Sequence, residues 1–198
     1  MTVAEKIEKK REEILEALKR CLLTNVYSQI SFNDVAASAS MSKGGVRHYF
    51  PTKEGLFIAL IENFFTQIAR EQVNLLKVAT QSQDRALLST MFNIEKFLLN
   101  QHNVIILMNI IIYSFEDAKI MEIVRKFLRD HLDTYESIIR DYGGNATSTN
   151  DTRQLARSIQ VLLLTSGLFQ TIDPIDYDTQ GLLKTLFKLF GIEHPAAR

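Results

Sequence analysis

The chain is poor in the residues that interrupt or staple a fold: one cysteine, three prolines, eight glycines and no tryptophan in 198 residues. A single cysteine, Cys21, cannot form an internal disulfide. Set among Leu18, Leu22 and Leu23, it reads as a small buried hydrophobe and not as a nucleophile. The shortage of proline and glycine leaves long stretches free of helix breakers. Charge of neither sign is in excess, with 23 basic and 23 acidic residues. The longest apolar run, Val104 to Tyr113, falls short of the roughly 18 residues a membrane span needs, and the N-terminus is charged from Glu5 onward. The expectation is a soluble cytoplasmic protein with no membrane partner. His48, His102, His131 and His194 lack metal-ligand spacing, and Asp130-His131-Leu132-Asp133 reads as a charged helix face. With no phosphate-binding loop, nucleophile elbow or cysteine pair, no catalytic residue, metal or cofactor is expected, and the chain is not read as an enzyme.

What is present is helical periodicity. Ile7, Ile14, Leu18, Cys21 and Leu22 recur at helical spacing, so residues 4–25 read as an amphipathic helix. Ser31 before Phe32, Val35 and Ala36 is an N-cap with Asp34 in the first turn, and Ser42 is a second N-cap before a helix ending near Tyr49. Pro51 stops that helix and Thr52 starts a long one. Further helices are predicted over 82–101, 103–114, 116–142, 152–172 and 178–190, with a loop at 143–151. No stretch alternates with period two. The fold class is all-α with about nine helices, in one domain or in a small domain fused to a larger one.

Two short helices joined by a three-residue turn form a helix-turn-helix, whose second helix enters the major groove. Ala36 lies where the two helices cross, and Ser40 occupies a turn position that favours glycine because it needs positive φ. The outer face then carries Lys43, Gly44, Gly45, Arg47 and His48. Gly44 and Gly45 weaken the helix by roughly 0.5–1 kcal/mol each, so close approach to a partner is the better account of them. Ser42 leaves helix N-terminal amides facing outward for phosphate, and Lys43 and Arg47 offer charge to phosphates or guanine edges. Residues 1–53 hold nine basic and six acidic side chains, a mild surplus suited to an anionic partner.

The order Ile14-Leu15, Tyr27, Ser31, Asp34-Val35-Ala36, Ser42-Lys43-Gly44, Tyr49-Phe50, Lys53-Glu54 and Leu56 resembles the DNA-binding signature of the TetR family of transcriptional regulators. Three positions depart from it: Ser40 and Val26 replace glycines, and Arg47 stands where tyrosine is frequent. Asn25 is a candidate left-handed cap ahead of Val26. The resemblance implies a three-helix DNA-binding domain over 1–51 and a ligand-binding and dimerisation domain over 52–198, with contacts to double-stranded operator DNA that include Ser31, Ser42, Lys43, Gly44, Gly45, Arg47, His48, Tyr49 and Lys53. It also implies a homodimer through the last two helices and release from DNA by a small-molecule effector. The dimer candidates are Leu155, Ile159, Leu163, Gly167, Leu183 and Phe187; the other reading is that these helices close the protomer's own core. For a hydrophobic or aromatic effector the candidate lining is Phe64, Phe92, Phe97, Met108, Asn109, Tyr113 and Phe169. Asn109 interrupts a buried apolar helix, and its amide needs either another helix or a ligand's polar end. A helical small-molecule binder without DNA binding is the competing reading, and Lys43, Arg47 and Lys53 argue against it.

Overall fold

The computed structural model describes residues 2–79, 82–143 and 149–174, and single positions 178, 181, 182, 184, 185 and 188 beyond them. Eight α-helices lie within these residues: α1 (Val3–Leu22), α2 (Phe32–Ser38), α3 (Lys43–Tyr49), α4 (Lys53–Leu76), α5 (Ser82–Ile94), α6 (Gln101–Ser114), α7 (Ala118–Gly143) and α8 (Thr149–Ile172). A single 3-10 turn, Tyr27–Gln29, joins α1 to α2. No strand occurs among the described residues, as the missing period-two pattern requires. The helix predicted over 178–190 falls largely outside them. Of the loop predicted over 143–151, Gly143 belongs instead to α7 and residues 149–151 to α8, and 144–148 lie outside the described residues.

The chain packs as two compact units. The first runs from the N-terminus to Gln67 and adds Ile105–Val124; the second comprises Ile68–Val104 and Arg125 onward. In the first, Ile14, Leu18, Leu22, Val35, Val46, Phe50, Leu56, Phe57 and Leu60 are buried together from helices α1 to α4. Cys21 is half-buried, and burial pushes its thiol up, so it stays protonated at neutral pH. Asn25 does not supply a left-handed cap: Ser40 is the one non-glycine residue with positive φ among those described. The end of α1 is closed instead by Thr24 and Asn25 amides donating to the Cys21 carbonyl.

In the second unit, Ile94, Leu98, Leu132, Tyr135, Ile138, Ile139, Ala156, Ile159 and Leu163 form the core. The helix predicted over 82–101 is not continuous. It passes from α5 into a π turn, Glu95–Leu99, closed by the Asn100 amide donating to Glu95 O at 3.1 Å. α8 passes so close that a Cβ on Gly167 would stand 1.6 Å from Phe97 O. Glycine is therefore required at that crossing.

His131 does not lie on a charged face but is buried in this unit, between Phe97, Phe127 and Tyr135. Its Nε2 meets Asn93 Oδ1 at 2.7 Å and its Nδ1 meets Gln160 Nε2 at 3.5 Å. The amide oxygen can only accept and the amide nitrogen only donate, so the ring is neutral with its proton on Nε2. Burial pulls its pKa down to about 4.

Candidate DNA-binding face

Local chemistry sets the geometry of α2 and α3. Ser31 Oγ accepts from the Asn33 and Asp34 amides, while Asp34 Oδ2 accepts from the Ser31 amide at 2.8 Å and the Ser31 hydroxyl at 2.7 Å. This capping box commits the Ser31 side chain to α2, and those bonds hold the Asp34 carboxyl below its usual range. At the other end of α2 the Met41 amide donates to Ala36 O at 2.9 Å and the Ser40 amide to Ala37 O at 3.2 Å. This pairing is a Schellman motif with Ser40 in the left-handed position, at φ 54°. The turn is thus built as the sequence predicts, with serine where glycine is cheaper.

Ser42 Oγ caps α3 by accepting from the Gly45 amide at 3.0 Å. Val46 points into the core, while Lys43, Gly44, Arg47 and His48 are exposed on the opposite side. Tyr49 is half-buried and meets the His48 ring edge-on at 5.1 Å. The Arg47 guanidinium lies 5.8 Å from the Phe32 ring centroid. The glycines differ. A Cβ at Gly44 would meet nothing nearer than Ser42 Oγ at 4.0 Å, but one at Gly45 would stand 3.2 Å from that oxygen and 3.4 Å from Met41. Packing within the chain therefore explains a small residue at 45 and not at 44.

Lys53 points elsewhere. Its Nζ donates to Ser28 O at 3.1 Å and sits 4.5 Å from the Tyr27 ring centroid, and burial pulls its pKa down against the opposing pull of Asp34. Tyr27 itself stacks on Phe57 at 3.8 Å and donates its hydroxyl to Lys53 O at 2.9 Å. The expected DNA-backbone lysine thus serves the joint between the 3-10 turn and α4 in this structure.

Two arginines of α1 were not legible as part of the site. Arg11 Nη1 donates to Tyr49 O, the last carbonyl of α3, at 2.9 Å, and its guanidinium stacks 4.3 Å from the Phe50 ring centroid. Arg20 does the same for α2, donating from Nη2 to Ser38 O at 2.6 Å and from Nε to Ser38 Oγ at 3.1 Å. The only sequence signal was two arginines beside the buried stripe of α1.

The residues proposed for a ligand fall in both units. In the first, Asn109 finds protein partners: its Oδ1 accepts from the Tyr27 amide at 3.0 Å, and its Nδ2 donates to Ile105 O at 3.1 Å and Leu22 O at 3.5 Å. Of the two alternatives for this amide, the structure supplies neighbouring backbone. Tyr113 packs edge-on to Tyr27 at 4.6 Å, Phe64 is buried beside Phe65 at 5.6 Å, and Met108 is half-buried. In the second unit, Phe97 is buried against Phe127 and His131, whereas Phe169 is exposed. Phe92 lines a cleft of about 360 Å³ with Leu75, Leu88, Met91, Ile94, Glu95 and Leu99.

The dimer candidates on α8 also need correction. Ile159 and Leu163 are wholly buried in one chain's core, Leu155 packs against that core, and Gly167 abuts Phe97. These residues face inward because α8 supplies one wall of its own unit. The outward apolar side chains on the same helix are Val161, Phe169 and Ile172, exposed by 50%, 66% and 68%. Leu183 and Phe187 lie outside the described residues. Among the described residues no group of three His, Cys, Asp or Glu side chains could hold a metal ion.

Comparison with known proteins agrees with this geometry. Residues 14–60 match the sequence model of bacterial regulatory proteins of the tetR family. No curated protein sequence matches the chain. Among solved structures, a putative transcriptional regulator from Saccharomonospora viridis, in complex with choline, superposes with a TM-score of 0.80 at 16% identity, covering 93% of this chain and 96% of its own. A TetR transcription regulator from Haloarcula marismortui gives 0.79 at 15% identity, over 93% and 97% of the two chains. A fatty acid degradation regulator from Bacillus halodurans gives 0.71 at 16% identity, over 91% and 94%. At such identities the likeness establishes the fold. Residues 14–60 thus match the tetR family of bacterial regulatory proteins, and the chain shares the fold of these solved regulators.

Proposed function

We propose that this protein is a cytoplasmic, dimeric transcriptional repressor that binds double-stranded operator DNA through α3 and is released by a small hydrophobic or aromatic effector. It acts by binding and not by catalysis. Residues 1–51 serve as the DNA-binding domain and 52–198 as the ligand-binding and dimerisation domain. The observation that carries the reading is the outer face of α3: a serine-capped helix start, an unpacked glycine at 44, and exposed Lys43, Arg47 and His48 around it. Helix N-terminal amides and a bare backbone suit phosphate approach, and the two cations suit phosphates or base edges. Ser42, Lys43, Gly44, Gly45, Arg47, His48 and Tyr49 form the contact set, with Ser31 acting as the cap of α2.

For the effector, the apolar cleft lined by Phe92 offers a volume suited to a small apolar molecule. For the dimer, Val161, Phe169 and Ile172 recur on one face of α8 and give an exposed apolar stripe of the kind that marks a protein interface. The helix Asp151–Ile172 is long and apolar enough by length and composition to cross a membrane, and its apolar side chains divide between the core of the second unit and this stripe. Selection of bound duplexes from a randomised pool tests the reading. Recovery of a two-fold symmetric site is expected, with release by some members of an apolar compound library; recovery of no preferred sequence contradicts it.

A further inference from the structure

α3 is short, seven residues, and buries one side chain of its own, Val46. Its first turn contains two glycines, so helix propensity contributes little to holding it. What fixes the other end is a contact from α1. Arg11 donates to the Tyr49 carbonyl, which has no intrahelical donor, and lays its guanidinium on Phe50, the buried residue that ends the helix. A cation at a helix C-terminus is also favoured by the helix dipole. Glu8 lies 4.0 Å from Arg11 Nε, an opposite charge one helical turn away. Arg20 makes the equivalent contact to the last carbonyl of α2, and Ser38 Oγ in turn donates to Ala17 O at 3.2 Å. One helix therefore grips the C-terminal ends of both helices of the motif.

We propose that Arg11 is a positioning residue for sequence recognition: it sets the orientation of the last turn of α3, and with it Arg47 and His48, without touching DNA. The assignment rests on the DNA-binding reading above. Its charge is already committed to Tyr49 O, the Phe50 ring and Glu8, which separates it from a phosphate contact. Loss of Arg11 should leave the electrostatic part of binding intact and blur the part that depends on where Arg47 and His48 point.

The test uses the full-length protein and two duplexes, the selected site and a scrambled version of it, titrated at several salt concentrations. Arg11→Met keeps much of the apolar stem that covers Phe50 and removes both donor and charge. The expected result is a ratio of selected to scrambled affinity reduced by about tenfold, with the salt slope of wild type and an unchanged helical circular dichroism spectrum. Arg11→Lys, which keeps a cation at the end of α3, should recover part of the ratio. An equal loss on both duplexes with a shallower salt slope overturns the proposal, because it makes Arg11 a phosphate contact. An unchanged ratio overturns it too, because α3 is then held without the arginine. Should Arg11→Met not fold, Arg11→Leu, which also removes donor and charge and keeps an apolar side chain beside Phe50, takes its place with the same criteria. A wild-type protein that prefers no duplex overturns the DNA-binding reading, and this assignment with it.

Discussion

Gly44→Ala separates what α3 does for the fold from what it does for a partner. The residue lies in the first turn of the helix, is exposed, and has helix-compatible φ. An added Cβ would stand 4.0 Å from its nearest neighbour, Ser42 Oγ, an ordinary contact that displaces nothing. Alanine is preferred over glycine by about 0.8–1.0 kcal/mol within a helix, and also lowers the entropy of the unfolded chain. At the second helical position a gain of about 0.5 kcal/mol is expected. In the DNA complex the same methyl group would enter the space between backbone and duplex. Forcing one extra carbon into a packed contact costs about 1–3 kcal/mol, so the dissociation constant should rise roughly tenfold or more. Denaturant melting and fluorescence titration with the selected duplex measure the two effects on one preparation. Greater stability with weaker binding supports the account. Greater stability with unchanged affinity would refute it, since α3 would not then approach DNA through this glycine.

Four further outcomes follow from named contacts. Ser40→Gly should stabilise the first unit by about 0.5–1 kcal/mol, because it relieves a side chain at φ 54°, and a lower melting midpoint would show the turn to be unstrained. Neutral His131 titrates near pH 4 in the folded chain and near 6.5 unfolded, so its contribution is complete above pH 6.5 and is lost as pH falls toward 4. Stability of the second unit should fall by about 2 kcal/mol between pH 7 and 5, and His131→Gln should flatten that profile in pH-dependent melts. Asn109→Leu leaves the buried Tyr27 amide and Leu22 carbonyl without this partner, so a loss of about 1–3 kcal/mol is expected in urea denaturation. Leu163→Glu buries an unpaired charge in one chain's core and should unfold the second unit, whereas Phe169→Glu should leave the protomer folded and weaken self-association in sedimentation.

The front of the chain was legible because local chemistry dictates it. Ser31 and Ser42 cap helices through bonds that span three residues, and Ser40 had to take the left-handed position because the turn closes there. Sequence pattern reads less well where two faces of a helix are both apolar. In α8, Ile159 and Leu163 are inside while Val161, Phe169 and Ile172 are outside, and nothing in residue type separates the two sets. His131 shows the converse. It stands four residues from both Phe127 and Tyr135 on the inner stripe of α7, yet its neighbours Asp130 and Asp133 give the segment a charged look. Two of the three partners of Asn109, the Tyr27 amide and the Leu22 carbonyl, lie 82 and 87 residues away, beyond any local rule. The surplus of base in the first 53 residues suggests a role on DNA, but Arg11, Arg20 and Lys53 spend their side chains on backbone carbonyls of the first unit. Lys43 and Arg47 remain exposed on α3, and they carry the prediction of DNA contact.

Those two residues also give the most direct test. Affinity of the wild type and of the Lys43→Ala, Arg47→Ala double variant for the selected duplex, measured from low to moderate salt, reports whether the outer face of α3 meets DNA. The variant should melt with the wild type and bind at least tenfold more weakly. Its plot of log affinity against log salt should be shallower by about 0.9 for each phosphate that the variant no longer neutralises. A double variant with wild-type affinity and slope would contradict the assignment of α3 as the DNA-reading helix.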